Sequence, residues 1–148
     1  MGTASRVKLS QMDALMVESL RALGWTNDEL VRKVKAGELP VDESPFHFKY
    51  ELLTAFAAEE PEVFEASVTE GYQIKYNTVR GIRSWILITF GKEPELLLEE
   101  GQEAVHVSLT AEEKEKLANT LSFGWAINEE GQASSEGASL YRIEPIQR

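Results

Sequence analysis

Over the first sixty residues the apolar positions recur at helical intervals. Met12, Leu15, Met16, Leu20 and Leu23 fall at helical spacing behind Ser10, whose hydroxyl can cap a first turn, and Gly24 supplies the stop. Thr26 and Glu29 have the spacing of a capping box, with Trp25 and Leu30 in the two positions of a hydrophobic staple. The helix they open turns Leu30, Val31 and Val34 toward a core and ends at Gly37. Ser44-Pro45 reads as an N-cap and a proline in the first helical position of a third helix. His47 then lies in its opening turn, and Phe46, Tyr50, Leu53, Phe56 and Ala57 form its buried stripe until Pro61 ends or kinks it.

Residues 61–90 satisfy two periods at once. Tyr72 to Tyr76 alternates like a strand, and Trp85 to Phe90 is rich in β-branched and aromatic types, as a hairpin would be. Yet Phe64, Val68, Tyr72, Tyr76, Val79, Ile82, Ile86 and Phe90 are spaced three or four apart throughout, with no hairpin turn dipeptide between them. The spacing predicts one long helix. Gly71 and Gly81 each weaken it by about 1 kcal/mol relative to alanine, so a bend is expected at one of them.

After Gly91 the period shortens to two. Glu95–Glu99 and Ala104–Leu109 read as strands joined around Gly101, Thr110 and Glu113 form a second capping box for a helix carrying Leu117 and Leu121, and Ser122–Ile127 reads as another strand. Residues 129–139 have the composition of a mobile linker, Leu140–Ile146 reads as an edge strand ended by Pro145, and residues 1–8 read as a flexible N-terminus. The fold class that follows is α+β in a single domain spanning 1–148. About four helices, one long and bent, fill the N-terminal two-thirds and pack on a small C-terminal antiparallel sheet with one further helix.

A chain of 148 residues, 43% of them hydrophobic, is long enough to bury a core and too apolar to be disordered. Its longest apolar runs are too short to cross a bilayer, and residues 1–9 lack the apolar stretch of a secretory signal, so a soluble, cytoplasmic protein without a membrane partner is expected. The absence of cysteine excludes disulfides, thiolate metal sites and a cysteine nucleophile. Twenty-five acidic against 15 basic residues leave a net charge of −10, which repels polyanions at long range.

Candidate chemistry is sparse. His106 alternates with Val105 and Val107 and so turns away from their apolar face, and neither it nor His47 has a carboxylate at a recognisable spacing. The carboxylates Glu99 and Glu103 could act with His106 only if the fold gathered them, and the many other acids suit helix N-termini and solvated faces. Gly71, Gly81 and Gly91 match no phosphate-binding loop. No catalytic residue, metal site or cofactor is indicated, and a non-enzymatic protein is expected.

One region breaks the acidic trend. Residues 71–92 hold Lys75, Arg80, Arg83 and Lys92 with no Asp or Glu, interleaved with Tyr72, Tyr76 and Trp85. On a helix these cations would line one flank, either as internal counter-charge or as a binding surface. Arginine and aromatic residues dominate protein interfaces, so Lys75, Arg80, Arg83, Tyr72, Tyr76 and Trp85 are the candidate binding residues of a regulatory or protein-interaction module. The partner is another protein or a second copy of the chain, with Val63, Ile74, Trp85 and Ile88 as a self-association row. The alternative for the same segment is nucleic acid or a nucleotide phosphate, with Tyr76 or Trp85 stacking on a base. Met12, Met16, Leu20 and Trp25 are read as core in preference to a partner groove.

Overall fold

The computed structural model describes residues 7–132 and 137–146. Its contacts divide the chain into two compact units, Met1–Gln73 and Ile74–Arg148.

The first unit comprises β1 (Val7–Leu9), α1 (Gln11–Arg21), α2 (Asn27–Ala36), α3 (Glu51–Glu59) and α4 (Pro61–Thr69). Local signals set the helix starts. Asp13 N–H donates to the Ser10 hydroxyl at 3.1 Å, and Thr26 and Glu29 close their capping box at 3.0 and 3.1 Å, leaving fewer orphan donors at both N-termini. α2 packs on α1, α3 and α4, and Leu20, Leu30, Val34, Leu53, Ala57 and Phe64 are buried. Met16 and Leu20 are core as expected, whereas Met12 is half exposed and Lys33 Nζ lies 5.2 Å from the centre of the Trp25 ring. Glu18 is buried among them because Tyr72 donates its phenol to the carboxylate at 2.8 Å and Arg21 Nε pairs with it at 3.3 Å.

α3 starts at Glu51, six residues later than Pro45 suggests. The Asp42 carboxylate accepts from Ser44 N–H, from the Ser44 hydroxyl and from Phe48 N–H, so its side chain organises a loop where a helix could have begun. His47 sits in that loop with φ 49, not in a helical turn. Phe46 and Phe48 stack there with centroids 5.1 Å apart.

Residues 61–90 do not form one helix. α4 stops at Thr69, β2 (Tyr72–Ile74) pairs with β1, and α5 (Val79–Phe90) begins afresh. Gly71 at φ 99 reverses the chain in a conformation that few other residues tolerate, and Thr78 caps α5 by accepting from Gly81 N–H at 3.0 Å. Tyr72 and Ile74 are buried at alternate positions, so the two-residue period governs this stretch. Five helices therefore precede Gly91 among the described residues, and none is long and bent. The proposed self-association row is broken too, since Ile74 and Trp85 are both buried.

The second unit holds α5, β3 (Glu95–Leu97), β4 (Ala104–Thr110), α6 (Ala111–Thr120), β5 (Trp125–Gln132) and β6 (Ala138–Pro145). The strands form an antiparallel sheet in the order β3-β4-β6-β5, with α5 and α6 packed on β4. Val105, Val107 and Leu109 are buried and alternate with His106 and Ser108, the half-buried side of the pleat. The molecule is thus α+β, with the helix opened by Thr110 and Glu113 where their capping box places it.

Residues 129–139 are not a linker throughout. Glu129–Gln132 belong to β5 and Ala138–Ser139 to β6, paired across a bulge between Glu129 and Gly131, while residues 133–136 lie outside the described residues. Of the expected flexible N-terminus, Val7 and Lys8 lie in β1 and residues 1–6 are likewise outside. β6 is an interior strand, because its flanks are occupied by β4 and β5. Among the described residues no helix is long and apolar enough to cross a membrane.

Candidate functional site

Two loops of the second unit are tied together by side chains buried beneath them. Asn77 Oδ1 accepts the Ser122 N–H at 2.8 Å, and Asn77 N–H donates to the Ser122 hydroxyl at 3.2 Å. Both residues are buried, so these bonds are made away from competing water. The tie joins the segment before α5 to the turn after α6. At that turn Gly124 adopts φ 98, which lets the chain double back into β5, and its carbonyl accepts the Ile146 N–H at 2.8 Å.

The residues beside these ties are turned outward. Tyr76 is 74% exposed, Phe123 83% and Ile146 65%. Lys75 and Arg80 are exposed as well, and neither forms an ion pair among the described residues. No acidic residue lies in the first turn of α5, where Arg80 stands.

The six residues singled out from the sequence separate into two groups. Lys75, Tyr76 and Arg80 share the exposed segment around the α5 N-terminus. Arg83 pairs with Glu93 at 3.4 Å on the surface, a contact of small energy. Trp85 is 1% exposed and meets Phe90 edge to face at 5.4 Å, and Tyr72, 4% exposed, belongs to the first unit and to Glu18. These two aromatics are buried and present little surface to a partner. Lys92 is consumed internally, donating to Ser108 O at 2.9 Å and to Glu113. Burial would raise the Glu113 carboxyl, but the Lys92 ammonium and the Thr110 N–H outweigh it and hold the group below its ordinary range.

No family model matches this chain, and no curated protein or solved structure matches it either.

Asn77, Ser122, Phe123 and Ile146 were not among the residues drawn from the sequence. A signal for part of them was present: residues 116–128, like 71–92, contain no Asp or Glu in a chain with 25 acids. That the two acid-free stretches meet could not be read from either one.

The open side of the sheet offers a second feature. A hollow of about 530 Å³ is lined by Lys92, Glu95, His106, Ser108, Thr110 and Leu140. His106 is paired in register with Glu95 on one side and Arg142 on the other, and its Nε2 lies 2.9 Å from Glu130 Oε1. His106 thus leaves the apolar face, as its alternation requires, and a carboxylate from the segment read as a linker lies close to it without a hydrogen bond between the two. Neither Glu99 nor Glu103 lines this hollow. Among the described residues no group of three or more His, Asp and Glu could hold a metal ion.

In the first unit a cavity of about 520 Å³ is lined by residues that include Pro40, Asp42, His47, Phe48, Tyr50 and Thr54. Burial raises the Tyr50 phenol, against the Ser19 hydroxyl that bonds it at 2.7 Å. Burial also acts to raise the Asp42 carboxyl, but its hydrogen bonds from Phe48 and Ser44 hold it below the usual range. Asp42 is therefore committed to the loop.

Proposed function

We propose that this protein is a non-enzymatic interaction module that captures another protein through the surface carrying Lys75, Tyr76 and Arg80. The observation that carries this reading is the Asn77–Ser122 tie, which lies next in sequence to an exposed tyrosine flanked by two exposed cations and is itself buried. A preorganised aromatic flanked by cations loses little conformational freedom on binding, which is where interface affinity is usually lost.

The test is a quantitative comparison of proteins recovered from one lysate by the wild type and by a Lys75→Glu/Arg80→Glu variant. Both positions are exposed, so the variant is expected to fold normally while losing a specific partner. Recovery of the same proteins by both forms refutes the reading. Nucleic-acid binding is the weaker reading, because Trp85 is buried and Tyr76 alone of the two stacking candidates is exposed. A phosphate-dominated complex would weaken steeply between about 50 and 200 mM salt.

A further inference from the structure

Phe123 and Ile146 are exposed on segments tied to the one that carries Tyr76. Tyr76 immediately precedes Asn77 and Phe123 immediately follows Ser122, so the buried pair of hydrogen bonds fixes the two aromatic positions one residue from the tie. The Ile146 N–H to Gly124 O bond then holds the third side chain beside the same turn. Three large apolar residues, each mostly exposed, are thereby carried on three cross-tied segments. Scattered exposed apolar residues need no explanation, but a cluster on a fixed support is a feature of binding surfaces.

Charge selects the occupant. The two segments that supply Tyr76 and Phe123 lack acidic residues over 71–92 and 116–128, and Lys75 and Arg80 stand at the margin. A chain at net −10 repels an acidic partner from most of its surface and accepts it here, which orients the encounter as well as strengthening it. A nucleic acid would use the cations and the aromatic rings but gain nothing from Ile146, which offers no face for stacking.

Resting on the interaction reading above, we propose that Tyr76, Phe123 and Ile146 form the apolar floor, and Lys75 and Arg80 the basic rim, of a docking site for a short acidic segment of another protein that carries aromatic or aliphatic side chains.

The test is selection of a random-peptide phage library on the full chain, followed by affinity measurement with the enriched synthetic peptides. The expected peptides combine an excess of Asp and Glu with at least one large apolar residue. Phe123→Ser and Ile146→Ser should each weaken them by about tenfold or more, with melting temperature unchanged. Failure to enrich peptides, enrichment without acidic excess, or affinities indifferent to both serine variants would overturn the proposal. So would displacement of the peptide by an oligothymidylate as strongly from Phe123→Ser as from wild type, or a dimer in sedimentation that Phe123→Ser dissolves. If Lys75→Glu/Arg80→Glu abolishes capture from lysate while the serine variants do not alter it, the interaction reading stands and this assignment of floor and partner falls.

Discussion

Replacing Asn77 with alanine tests whether the two loops are held as described. Asn77 is 2% exposed, and its Oδ1 accepts the Ser122 N–H at 2.8 Å, so the substitution leaves a buried donor without that acceptor. The cost of such an orphan is about 1–3 kcal/mol, against about 0.5–1.5 kcal/mol for the net worth of a typical hydrogen bond. In a unit of 75 residues each kcal/mol lowers the melting midpoint by about 4–8 °C, so a fall on the order of 10 °C is expected. The assay is thermal or urea unfolding followed by tryptophan fluorescence in a Trp25→Phe background, where Trp85 and Trp125 report on the second unit alone. Ser122→Ala should behave similarly, since it removes the acceptor of the Asn77 N–H. The double variant should cost less than the sum, because once one bond is lost water reaches the other. A loss below about 0.5 kcal/mol for Asn77→Ala would mean that solvent already satisfies these groups and that the two loops are not held by this pair.

Two further outcomes follow from the buried and titrating groups. Tyr72→Phe removes the phenol that donates to the Glu18 carboxylate and should destabilise the protein by about 1.5–3 kcal/mol without altering partner capture, checked by denaturation and recovery from lysate side by side; lost capture at unchanged stability would restore Tyr72 as an anchor. Asp42 and Glu113 have folded-state pKa values below their ordinary range, so the stability they confer is present above about pH 5 and is lost as the pH falls through the lowered values. Asp42→Asn and Glu113→Gln should each flatten the stability profile on the acid side, and profiles parallel to wild type below about pH 4.5 would contradict the assignment.

What was legible in the sequence was what is decided within a few residues. The capping boxes at Thr26 and Thr110 form as their spacing dictates, and the alternation of Val105, His106 and Val107 gives the correct faces of β4. Errors arose where a distant or competing contact chose between two local solutions. Tyr72 and Ile74 fit a helical stripe and a strand equally well, and pairing with β1, some 65 residues earlier, decided for the strand. Asp42 overrode the Ser44-Pro45 signal by gathering three donors into one loop. The polar run at 129–139 hid the end of β5 and the start of β6, because their cross-strand partners compensate for weak strand propensity. The candidate surface was half visible as an acid-free stretch, but which aromatics face outward was not: Tyr76 and Trp85 look alike in composition, and only packing separates them.

β6 has a bearing on how the second unit is made. It is the last strand of the sheet to be synthesised, yet it lies between β4 and β5 and supplies the pairing edge to both. A nascent chain that has emerged only as far as β5 therefore presents open backbone edges on two strands, a template for wrong pairing with other chains. This half of the protein closes after translation has passed Pro145, and a stop even a few codons upstream of Ala138 would remove the middle of the sheet, not its margin.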